Sequence, residues 1–169
     1  MITRRHPILL HAAGIASAAL LLLGTPAMAR AQRGIPHTAF TRSDFSKLTW
    51  LEGSWQGSAP GERTYYERYH VVNDSTIEIS YFSDSTMSRV VGHGRIYLSA
   101  GGIYHTFGSG TWAATRADET GVYFIPRLNA HNTFAWSVES PDSWTATLRS
   151  GVGGHDRVTV FQVRRARKR

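Results

Sequence analysis

The stretch TYYERYHVVNDSTIEISYFS, residues 64–83, decides how this chain folds. In its second half Ile77, Ile79 and Tyr81 fall on one side of an extended chain, and Glu78 and Ser80 fall on the other. A period of two marks a half-buried strand, because successive side chains on a pleated strand point to opposite faces. The first half is equally rich in β-branched and aromatic residues, which suit a pleated surface. Asn73-Asp74 between the halves is turn chemistry, since these short polar side chains bond to nearby backbone and tolerate tight connections. The segment reads as a β-hairpin.

The same pattern continues in both directions. Further strand-like runs cover residues 53–58, 88–98, 102–107, 111–116, 121–126, 132–138, 143–149 and 157–165. Most connections carry Gly, Asn, Asp or Pro, as short hairpin turns do. About ten consecutive strands make an antiparallel meander, and closing it into a barrel removes its exposed edges. Phe134, Trp136 and Val138 oppose Thr133, Ala135 and Ser137. The last run is ambiguous: Val158 and Val160 share one face, while Thr159, Phe161 and Val163 share the other. Ahead of the strands, Ser43 is placed to cap a short helix carrying Phe45, Leu48 and Leu51 at three-residue intervals.

Residues 1–31 read as a cleavable signal peptide. Arg4 and Arg5 precede an apolar run, and Ala27-Met28-Ala29 and Ala29-Arg30-Ala31 offer small-x-small cleavage sites. The apolar run, about 17 residues, falls short of the ~20 that span a bilayer. Residues 32–42 are expected to be a flexible leader, 43–165 the barrel domain and 166–169 a basic tail. The expected location is therefore periplasmic or secreted. The chain has no cysteine, which excludes disulfides, zinc–cysteine sites and a lipidated cysteine. The net charge of +7 is misleading, because the ends carry much of it. Arg4, Arg5, Arg30 and Arg33 lie in or beside the signal, and Arg164, Arg165, Arg167, Lys168 and Arg169 crowd the C-terminus. From Gly34 to Val163, ten Lys/Arg face twelve Asp/Glu, so no basic face marks a nucleic-acid partner. The tail is expected to make at most weak contact with an anionic surface. The oligomeric state is left open.

The segment Leu48-Thr49-Trp50-Leu51-Glu52-Gly53-Ser54-Trp55 resembles the entry into lipocalin and calycin barrels, where a helical turn feeds a first strand bearing Gly-x-Trp. Trp-Leu-x-Gly-x-Trp, followed by Glu67 in the next strand, is similar to a group of exported bacterial lipocalin-like domains. The resemblance spans roughly residues 45–165 and implies a lipocalin/calycin-like barrel. It also implies structural roles: Trp55, beside Gly53, packs at the barrel base beneath an arginine of the last strand, Arg164 or Arg165. Gly53-x-Trp55-x-Gly57 has a more distant similarity to nitrobindin-type haem barrels. Ser58-Ala59-Pro60 breaks their glycine-rich strand, and the only C-terminal histidine, His155, reads as a turn residue, so no cofactor is expected.

No nucleophile elbow, phosphate loop or metal-spaced cluster appears, and no catalytic residue or metal ligand is assigned. His93 and His105 fall on adjacent strands about three positions out of register, too few ligands for zinc. Glu67 shares a face with Tyr65, Tyr69 and Val71. There it either projects into a cavity, where burial raises its pKa, or pairs with a cross-strand arginine such as Arg95. The candidate ligand-binding residues are Glu67, Tyr69, Tyr81, His105, Tyr123 and Trp136. Aromatics spread over successive strands either line a pocket or fill the core, and spacing does not separate the two. The expected function is binding of a small apolar or amphipathic molecule in the barrel. The alternative is a non-enzymatic structural or envelope-interaction module with a filled barrel.

Overall fold

Hairpin chemistry sets the architecture. At the turn after residue 73, Asn73 Oδ1 accepts from the Ser75 N–H at 2.9 Å, and at the turn after residue 118, Asp118 Oδ1 accepts from the Thr120 N–H at 2.8 Å. These side chains satisfy turn backbone that strand pairing leaves bare. A computed structural model describes residues 39–152 and 155–166, with the side chains of Val152 and His155 outside the described set. The expected signal peptide, most of the leader, the His155 side chain and the last three basic residues thus lie outside the described residues.

The strands are β1 (Gly53–Ser58), β2 (Tyr65–Asn73), β3 (Thr76–Phe82), β4 (Val90–Ser99), β5 (Gly102–Phe107), β6 (Gly110–Asp118), β7 (Gly121–Leu128), β8 (Asn132–Ser140), β9 (Ser143–Val152) and β10 (His155–Arg165). Each pairs antiparallel with its neighbours in sequence, and β10 closes on β1 to complete the barrel. The closing register sets Trp55 opposite Arg165 and Gly57 opposite Val163. In the β2–β3 hairpin, Glu67 stands opposite Tyr81 and Tyr69 opposite Ile79. This is the all-β, ten-stranded meander barrel with a short N-terminal helix that the alternation predicts.

Ile77 and Ile79 are buried and Glu78 is exposed, as the hairpin pattern requires. The ambiguity of the last strand resolves toward its second face. Val163 is buried and Phe161 packs against the core, whereas Val158 and Val160 stay exposed. In β6 a bulge between Ala114 and Arg116 inserts an extra residue, so Ala114 and Ala117 both point inward across an odd spacing.

One barrel end is plugged. A helix, α1 (Arg42–Ser46), runs into a 3-10 turn (Lys47–Leu51), and together they bury Phe45, Leu48 and Leu51. The N-cap is Thr41, not the expected Ser43. Thr41 Oγ1 accepts from the Asp44 N–H at 3.2 Å, while the Thr41 N–H donates back to Asp44 Oδ2 at 2.9 Å. The acid three residues on makes Thr41 half of a capping box, a reciprocal pair that Ser43 lacks because Ser46 stands at the matching position. The Phe40 N–H donates to the Gly101 carbonyl at 2.9 Å, so ordered chain begins ahead of the expected boundary at residue 43.

Candidate binding cavity

The interior is a column of rings that becomes hollow along its length. Near the plug, Trp144 lies edge-on to Trp50 and to Trp55, both at 5.9 Å. Trp136 stacks above Trp144 at 5.3 Å, and Tyr69 packs against both. Beyond Trp136 the packing opens into a chamber of about 360 Å³. That is far more than the ~30 Å³ share of one water and falls within the ~300–1,000 Å³ range of small-molecule pockets.

Glu67 is the only Asp or Glu lining this chamber. Strand alternation brings it inward with Tyr65 and Tyr69, and pairing with β3 sets Tyr81 beside it. Tyr69 donates its hydroxyl to Glu67 Oε2 at 2.7 Å. No lysine or arginine lines the chamber, and among the described residues no cation forms an ion pair with Glu67. The expected alternative partner, Arg95, stands outside, opposite Glu78 and 4.6 Å over the Tyr97 ring. Loss of water around the carboxylate, only partly offset by the Tyr69 hydrogen bond, lifts the Glu67 pKa to about 7. Burial and the nearby acid also hold the Tyr65, Tyr69 and Tyr81 hydroxyls well above their ordinary range.

His105 is the second polar group in the chamber wall and only 5% exposed. Trp112, Phe124, Phe134 and Trp136 surround its ring at 5.4 to 5.8 Å. Neither Nδ1 nor Nε2 has a hydrogen-bond partner. Burial pushes its pKa down to about 3, so the imidazole is neutral and offers one donor and one acceptor. His93 faces the other way on β4, exposed, which ends any two-histidine constellation.

The chamber shares Asn132, Leu148 and Phe161 with a more polar outer cavity of about 380 Å³. Glu62, His131 and Arg157 line that vestibule, and Arg157 forms an ion pair with Glu62 across the mouth. The two cavities therefore adjoin along Asn132, Leu148 and Phe161.

Of the expected binding residues, Glu67, Tyr81, His105 and Trp136 line the chamber together. Tyr69 lies beneath it, fully buried, and reaches the site only through its bond to Glu67. Tyr123 is a correction. It stands between the buried Val122 and Phe124 and so projects from the outer face of β7. Both faces of that run are apolar, so its alternation carries no direction. Tyr65, Phe107, Trp112, Phe134, Trp144 and Phe161 complete the ring lining. Their strand positions were readable, but which rings border empty space depends on cross-barrel packing. The vestibule residues gave no sequence signal, because they come from two separate loops and a distant strand.

The plug shows the arrangement implied for Gly53, Trp55 and Arg165. Trp55 Nε1 donates to the Leu51 carbonyl at 2.7 Å, and the Arg165 guanidinium lies 3.9 Å from the indole centroid. Arg165 also donates to the Glu52 carbonyl. Gly53 has φ +116°, and a Cβ there would collide with the Arg165 guanidinium. Among the described residues no group of three or more His, Asp or Glu is placed to hold a metal. No protein-family model matches the chain, and no curated protein matches it. The barrel itself, closed, antiparallel and ten-stranded, is consistent with a lipocalin/calycin-like fold.

Proposed function

We propose that this domain is an exported lipocalin-like protein that binds one small apolar or amphipathic molecule inside the barrel. The observation that carries the reading is an open chamber of about 360 Å³ inside the barrel, walled by aromatic rings with Glu67 and His105 among them. The lining fits the same reading: mostly rings, with a few polar groups to orient the guest.

Native mass spectrometry of the protein secreted from full-length chain tests both halves of the proposal. The expected result is a mature mass beginning after Ala29 or Ala31, with a stoichiometric small molecule attached. Titration of ligands against the fluorescence of Trp112, Trp136 and Trp144, which line the chamber, then measures affinity. A clean apo mass together with unchanged fluorescence across an apolar and amphipathic panel would sink binding and leave the structural module. An uncleaved mass would sink export.

A further inference from the structure

Resting on the binding reading above, we infer that the chamber takes an organic cation: a small amine or quaternary ammonium on an apolar body, its charge held beside Glu67. Among the described residues the chamber wall contains one carboxyl group and no lysine or arginine. The basic neighbours of Glu67 are engaged elsewhere. Arg68 bonds Ser54 Oγ and lies over the Phe82 ring, and Arg157 at the mouth is paired with Glu62. An anionic guest would meet Glu67 with no cation to balance either charge. A neutral guest would leave the carboxylate unmatched whenever it ionises.

The rings supply the rest of the recognition. Tyr65, Tyr81, Phe107, Trp112, Phe134 and Trp136 border the same space as Glu67. Aromatic faces carry negative potential and attract ammonium groups more strongly when water is excluded. Glycines make room for this wall. A Cβ at Gly94 would sit 2.7 Å from the Thr106 carbonyl and 3.1 Å from the Tyr81 hydroxyl, so β4 carries no side chain where Tyr81 turns inward. Because Glu67 titrates near 7, a cation competes with a proton for its carboxylate, and binding strengthens as pH rises through neutrality.

The test compares phenethylamine, 2-phenylethanol and phenylacetate, three guests of one shape and different charge, by calorimetry on the purified mature protein. At about pH 8 the amine is expected to bind at least about tenfold more tightly than the alcohol, and phenylacetate most weakly. At about pH 6 the amine's advantage should shrink several-fold although the amine stays protonated. Glu67→Gln should abolish the amine's preference over the alcohol. If that variant does not fold, the pH series on the unmodified protein decides alone. Alcohol binding as tight as amine, or tightest binding of phenylacetate, overturns the cation inference and leaves the binding reading intact. No binding of any of the three, with a clean native mass, overturns both.

Discussion

At the plugged end of the barrel the Trp55 indole donates to Leu51 and lies under Arg165, with Phe45, Leu48 and Leu51 sealing the space below. At the open end His105 sits among four rings with neither nitrogen bonded, and Glu67 is held by one tyrosine hydroxyl. Both ends draw on tryptophan, tyrosine and one charged or titratable group. Their difference lies in filling: the plug is packed solid, with the Trp55 N–H and the guanidinium each finding an acceptor although the Trp50 N–H has none. The chamber keeps its titratable groups beside empty space. Trp144 stands between the two regions, and its own N–H has no partner.

Four measurements break or sharpen this contrast. The largest effect is expected at the plug: Trp55→Ala should lower unfolding free energy by about 3–5 kcal/mol, read by denaturant titration. If it costs less than Trp112→Ala in the chamber wall, the plug is not the stability centre.

The pH dependence of stability comes next. Glu67, raised from 4.5 to about 7, binds a proton more tightly when folded, so its stabilising contribution is complete below 4.5 and fades as pH rises through 7. His105, lowered from 6.5 to about 3, acts in the opposite sense: its contribution is complete above 6.5 and is lost as pH falls toward 3. Between 4.5 and 6.5 the two slopes oppose each other. Glu67→Gln should unmask stability that rises with pH in that window, and His105→Phe stability that falls, each by about 2–3 kcal/mol at most. Thermal melts across pH read the sign, and slopes of the same sign in both variants would refute the assignment.

Gly53→Ala should cost about 2 kcal/mol, since the new Cβ strains a φ of +116° and displaces Arg165. The fluorescence of Trp55 should report the displacement. Smallest in magnitude, His105→Phe should raise stability by about 1 kcal/mol while weakening ligand binding. A gain in stability without loss of binding would detach His105 from the site.

Much of this was legible in the chain. Alternation at Ile77, Ile79 and Tyr81 defines a strand and its inward face, and the turn residues between runs define hairpins. The resemblance carried by Leu48 to Trp55 marks the plug, because a local helix-to-strand motif is written in consecutive residues. The failures have a common cause. In residues 121–126 and 157–165 both faces are apolar, so Tyr123 could not be placed outside or Phe161 inside until the barrel closed. Thr41 caps the helix in place of Ser43 because Asp44, three residues on, completes the capping box with it. The vestibule of Glu62, His131 and Arg157 draws on two loops and on β10, positions far apart in the chain whose proximity only the closed topology creates.

Taken alone, the sequence determined the all-β meander, its turns and the face that Glu67 shares with Tyr65 and Tyr69, because periodicity and turn chemistry are local properties of the chain. Tertiary structure alone decided that the barrel is solid at one end and hollow at the other. The same rings could pack together or stand apart, and the choice depends on how strands from opposite walls meet across the axis. Only there do His105 and Glu67 border one space.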